Sequence, residues 1–349
     1  MPHAVYYLSR ALSKLGVEVC IVTESDCAPI DGIKIITARS HFQLYSLFKT
    51  FRKGFTIYHS HYSRCLPHSA YTSLPVNRAR TVIEVHHFPL RRTKSYSRSG
   101  IAYRLSDSIL TVSQWNADKI VSNYGLPRNK VKIIPNGVDT EVFTYLPNEA
   151  SRLKKTLGLD GRKVILFVGH YASPYKGVKY LVKAAPKIVA RIPNASFVLV
   201  GIPAEEEPEQ KNVEEMKAEI KNHGLEANFH FLDFVGDSLL PAMYSMADVF
   251  VHPSVYESFG LPPLEAMACR RPVVVSDAGV FPELVRSGSN GILVRSQDEQ
   301  ALGDGILDVL SDSEFANRLG GEARKTAVEE YDWISVASRT IQHYSSLLS

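Results

Sequence analysis

The chain has 349 residues, of which 45% are apolar and 22% charged, with 40 Lys and Arg against 36 Asp and Glu. That balance excludes a disordered chain and leaves room for two domains with sizeable cores. No apolar run approaches the ~18 residues of a membrane-spanning helix, and Cys20, Cys27, Cys65 and Cys269 have neither metal-ligand spacing nor disulfide-framework density.

The opening stretch predicts an amphipathic helix from His3 to Leu15, with Val5, Leu8, Leu12 and Leu15 on one side. It lacks the continuous apolar core and cleavage site of a signal peptide. Gly16 ends it, and Val17 to Val22 reads as a buried strand. A strand at 32–37, a helix at 41–52 and a strand at 55–58 follow. The helix mixes Phe42, Leu44, Tyr45, Leu47, Phe48 and Phe51 with Lys49 and Arg52, a pattern for core packing or for an anionic membrane surface. His59 and His61 close the next strand. With His86 and His87 they make a metal site conceivable, but no carboxylate or thiolate stands at suitable spacing, so no metal is expected.

The strand Thr81 to Val85 ends at His86 and His87, where open α/β sheets bind ligands. Arg91, Arg92, Lys94 and Arg98 read as a basic loop with Tyr96. A strand at 108–113, a helix from Gln114 to Tyr124 and the turn Asn136-Gly137 complete the first half. A polar linker and helix over 144–161 lead to the strand Val164 to Val168. The loop from Gly169 to Gly177 carries His170 and Lys176 into a helix reaching Arg191, an arrangement suited to a diphosphate. A strand at 196–200 and the solvated acidic loop Glu205-Glu206-Glu207 follow. Beyond them come a helix to His223, a strand at 229–232 and a helix at 241–246.

The stretch VHPSVYESFGLPPLEAMACRRPVVVSDAGVFPELV, residues 251–285, follows a strand at 248–251. It reads as a loop from His252 to Gly260 and then a helix from Pro262 or Pro263, since proline is tolerated in a first helical turn. Backbone N–H groups and the positive helix end then meet at Ser258-Phe259-Gly260-Leu261, a ready anion site. Glu257 and Glu265, with seven residues between them, would repel that anion. They suit hydroxyls of the same ligand, or else dipole complementation and solvation. A nucleotide-sugar supplies both phosphate and hydroxyls.

This stretch resembles the E-x7-E signature of the family 4 retaining glycosyltransferases. VKIIPNGVDTEVF at 131–143, His59-Ser60-His61 and the Gly169–Gly177 loop resemble further family motifs in the expected order. The resemblance covers nearly the whole chain. It implies the α/β GT-B fold: two doubly wound Rossmann-like domains with an interdomain cleft, at 1–145 and 146–331, and a last helix at 332–349 crossing back to the first. It implies a hexosyltransferase that moves a sugar from a UDP- or GDP-linked donor to an acceptor hydroxyl on a lipid-linked glycan, polysaccharide or small molecule. His86, Lys176 and Glu257 take the catalytic places. His170, Lys176, Glu257, Ser258, Phe259, Gly260, Leu261 and Glu265 take the donor-binding places, with Glu265 on the ribose and Glu257 on the sugar.

Two departures stand out. The family's first strand and glycine-rich loop are missing before the opening helix, and His170 occupies the place of an arginine. They support an alternative, a catalytically impaired nucleotide-sugar-binding paralogue. No Asp-x-Asp motif is present, and no metal or other cofactor is expected for transfer. The expected setting is cytoplasmic. Residues 1–150 carry 19 Lys and Arg against 10 Asp and Glu, and the remainder 21 against 26. That split suits peripheral contact with an anionic membrane on its inner face, or a solvated face; nucleic acid is not an expected partner.

Overall fold

The computed structural model describes residues 3–23, 28–37, 55–61, 80–86, 94–201, 207–233 and 235–349. The expected helix at 41–52, His87, Arg91 and Arg92, and Glu205 and Glu206 lie outside them. Packing divides the chain into one unit of Met1–Gly137 with Tyr331–Ser349 and a second of Val138–Glu330.

In the first unit the strands are β1 (Cys20–Thr23), β2 (Lys34–Thr37), β3 (Ile57–Ser60), β4 (Arg80–Val85), β5 (Ser108–Thr111) and β6 (Val131–Ile133). β1 and β2 form a parallel pair, and β3-β4-β5-β6 form a second parallel sheet in that order. The sheet is covered on both faces, as parallel sheets require. Ile83, Val85 and Ile109 pack with Ala117, Ile120 and Tyr124, while Val82 and Leu110 pack with Leu8, Leu12, Trp333 and Val336. The alternation Val82/Ile83 is the period-2 pleat dividing two cores.

The helix Gln114–Tyr124 has the bounds its sequence predicts, because both ends are capped. The Ser113 side chain accepts from the Asn116 N–H, and Gly125 closes the far end at φ 61°. Other expectations shift. β1 begins at Cys20 rather than Val17, and Val22 is 37% exposed, since only one side of this short pair meets a small cluster of Ile21, Ile30 and Ile33. Lys94 and Arg98 stand in a helix, Lys94–Leu105, not in a loop; Ala102 and Tyr103 anchor it in the core.

The second unit holds β7 (Lys163–Val168), β8 (Ala195–Val200), β9 (Phe229–Leu232), β10 (Val249–His252), β11 (Val273–Ser276) and β12 (Ile292–Val294). They form one parallel sheet in the order β12-β11-β10-β7-β8-β9. Its central strands are buried on both faces, which is why they read as unbroken apolar runs. The order reverses between β7 and β10. At such a switch point the flanking loops leave in opposite directions and open a crevice at the carboxyl ends of the strands.

Candidate functional site

At that switch point the sequence places two loops. After β7, Gly169 to Gly177 runs through a short 3-10 turn, Pro174–Lys176, into the helix Val178–Arg191. After β10, Pro253 to Gly260 leads into the helix Leu261–Ala268. The loops lie against each other: Val255 N–H donates to Tyr175 O at 2.8 Å. A Cβ on Gly177, whose φ is +67°, would fall 1.9 Å from Pro253 O, so only glycine permits this approach.

The contact delivers Lys176 to Glu257. Lys176 Nζ donates to Glu257 Oε2 at 2.6 Å, and His252 Nε2–H donates to the same oxygen at 3.3 Å. The Ser258 N–H meets the other oxygen at 3.2 Å. Burial pushes the Glu257 carboxyl up, but the His252 hydrogen bond and the Lys176 charge outweigh it and hold it at about 2. His252 itself is driven down, first by burial, and stays a neutral hydrogen-bond donor. Its place differs from the expected loop: it is the last residue of β10, fully buried and stacked 5.1 Å from Phe167.

The helix starts at Leu261, after Gly260 at φ 84°. Pro262 and Pro263 have no N–H, so the donors at this end are the backbone groups of Phe259, Gly260 and Leu261. The helix begins one or two residues before the expected prolines, so Glu265 falls in its second turn. Its Oε2 accepts from Tyr244 OH at 2.6 Å. Burial lifts its carboxyl to about 7, against the lowering effect of the Tyr244 bond. Tyr244 is fully buried and pushed well up, first by burial and then by Glu265. His170 sits on the same loop as Lys176 and donates Nε2–H to Glu209 Oε2 at 3.0 Å.

His86 belongs to the other unit. It follows β4, where its Nδ1–H donates to Asn136 Oδ1 at 3.2 Å. Burial lowers its basicity. Around it stand His61, His59 and Glu84, and Tyr344 OH is 2.6 Å from His59 Nδ1. Sequence reasoning missed Glu84, Asn136, Tyr344, Tyr244 and His252. Of these only His252 left a signal, as a polar residue closing an apolar strand.

The two units are Rossmann-like α/β folds built on parallel sheets, which together define the GT-B glycosyltransferase class. The model of the family described as glycosyl transferases group 1 matches residues 150–326, and that of glycosyltransferase family 4 matches residues 2–142. The chain belongs to the group 1 glycosyl transferases. It is 35% identical over 242 residues to an uncharacterized glycosyltransferase of Methanocaldococcus jannaschii, covering 68% of this chain and 60% of that protein. It is 32% identical over 249 residues to spore coat protein SA of Bacillus subtilis, covering 68% and 64%. The chain thus spans under two thirds of the length of both relatives. Among solved structures, Anabaena HepE in complex with UDP superposes with a TM-score of 0.80 at 21% identity, covering 95% of this chain and all of that one. Sucrose-phosphate synthase from Thermosynechococcus elongatus gives 0.78 at 22%, covering 98% and 92%. Among the described residues no helix is long and apolar enough to cross a membrane.

Proposed function

We propose that this chain is a retaining hexosyltransferase that uses a nucleotide-sugar donor. The observation that carries the reading is the convergence of Lys176, Glu257 and the donors of Phe259, Gly260 and Leu261 at the switch point of the second unit. The 2.6 Å ion pair keeps Lys176 at this position. A diphosphate arriving there competes with Glu257 for the ammonium, and the released carboxylate accepts from hydroxyls of the donor sugar. Glu265, once ionised, accepts from the two ribose hydroxyls. His170, bonded to Glu209, stands where an arginine would add a fixed charge and a bidentate fork.

Catalysis in this reading is electrostatic. As the glycosyl–phosphate bond breaks, negative charge grows on the leaving phosphate, where Lys176 and the backbone N–H groups receive it. The leaving phosphate takes the acceptor proton on the same face. This scheme assigns no protein base and no metal to the transfer. Relatives and neighbours named for UDP, UDP-glucose and GDP-mannose support a nucleotide-sugar donor. The acceptor is a glycan or lipid-linked hydroxyl.

Incubation with candidate nucleotide-sugars and acceptors, followed by NMR of the product, tests this reading. Acceptor-dependent nucleotide release with the donor's anomeric configuration kept is expected. Inversion would contradict retention, and nucleotide binding without release would favour the impaired paralogue.

A further inference from the structure

The first unit holds a second cluster, built where β3 and β4 run side by side. Their register sets Tyr58, His59 and Ser60 against Thr81, Val82 and Ile83. Glu84 is 5% exposed, and among the described residues no lysine or arginine pairs with it. Instead His61 Nδ1 lies 3.0 Å and His59 Nε2 3.1 Å from the same Glu84 oxygen, Oε2. Neither His59 Nε2 nor Glu84 Oε2 has a partner in hydrogen-bond geometry, although both are shielded from solvent. Two buried polar atoms 3.1 Å apart and outside hydrogen-bond geometry are costly unless a third group binds both.

The remaining valences are arranged around that gap. Tyr344 OH engages His59 Nδ1, leaving His59 Nε2 directed at the cluster. Asn136 takes the His86 Nδ1–H, so His86 Nε2 accepts from His61 Nδ1–H at 3.3 Å, a proton that an ion bound at His61 Nδ1 displaces. Such outer bonds fix the tautomer and orientation of metal-binding imidazoles. The three atoms His59 Nε2, His61 Nδ1 and Glu84 Oε2 lie within 4.8 Å of one another. A tetrahedral ion with ligands at about 2.0–2.1 Å has ligand edges of roughly 3.3 Å, close to the two separations measured.

We propose that His59, His61 and Glu84 form a binding site for a divalent transition-metal ion of the zinc class. Two imidazoles and one carboxylate are a borderline-soft donor set, which selects Zn²⁺ or Co²⁺ over Mg²⁺ or Ca²⁺. The expectation of no metal rested on the absence of a carboxylate at suitable spacing. Glu84 is that carboxylate, brought in by the neighbouring strand rather than by the His59-Ser60-His61 segment. No step of the transfer is routed through the ion, and its ligands all belong to one unit.

The test is calorimetric titration of the full chain, first stripped with chelator, with Zn²⁺ and separately with Co²⁺. Glu84→Gln and His61→Asn are titrated alongside, and circular dichroism checks that each keeps its fold. One equivalent should bind, at least tenfold more weakly in each folded variant, with a rise in Tm on loading the parent chain. The Co²⁺ complex should show the visible absorption of a low-coordinate, thiolate-free site. No saturable uptake would overturn the proposal, leaving a cluster that shares protons instead. Uptake equal in parent and variants would overturn it too, by placing the metal elsewhere.

Discussion

Glu257 and Glu265 are both half-buried carboxylates on one loop-helix segment, yet their surroundings drive them in opposite directions. A lysine and a histidine hold Glu257 at about 2, whereas burial lifts Glu265, bonded to the Tyr244 hydroxyl, to about 7. Below pH 4.5 Glu265 is protonated in both folded and unfolded chains and costs nothing. As pH rises the unfolded chain ionises first, so stability is lost between about 4.5 and 7, by up to roughly 3 kcal/mol. Glu265→Gln should remove that loss, and thermal melts from pH 4 to 8 should show the variant's Tm falling less across this window. Ribose hydroxyls need the ionised carboxylate, so nucleotide affinity should strengthen through pH 7 in the parent and stay weak and flat in Glu265→Gln. At Lys176 the expected effect is simpler. Lys176→Ala removes a charge-assisted bond, which should weaken nucleoside diphosphate binding roughly 10- to 100-fold by calorimetry, with little effect on nucleoside alone.

Elements are legible where the chain punctuates them locally. Ser113 and Gly125 bound their helix to the residue, and the apolar runs of β7, β8, β10 and β11 announce a buried parallel sheet. What sequence hides is the neighbour across strands. Glu84 looks like one polar residue in a strand, and only pairing with β3 brings it to His59 and His61. Tyr244 carries no mark that it will meet Glu265. Gly137 is a third case. It reads as part of a turn, yet it does not need positive φ; a Cβ there would lie 2.6 Å from the Trp333 ring at the start of the helix Trp333–Leu348. Gly137→Ala should therefore lower stability by about 1–3 kcal/mol through overpacking, read as a lower denaturation midpoint. Trp333→Leu in the same chain should recover part of that loss.

At the scale of the whole molecule, the motifs identified the GT-B class because each is tied to a loop with a fixed place in a Rossmann-like sheet. Donor base, sugar and acceptor were not legible, since single side chains set them within a shared frame. The uneven charge gives a further prediction. Anionic vesicles should retain the chain at low salt and release it at high salt, as screening shortens the reach of the basic first half; co-sedimentation would show it, and indifference to vesicles would end the idea. The central claim is that the second unit binds a nucleotide-sugar through Lys176, Glu257 and Glu265. Calorimetric titration of the parent chain and Glu265→Ala with UDP, GDP and ADP tests it most directly. One nucleotide should bind at one equivalent and weaken at least tenfold in the variant. Binding of none, or equal binding by both chains, would contradict the account.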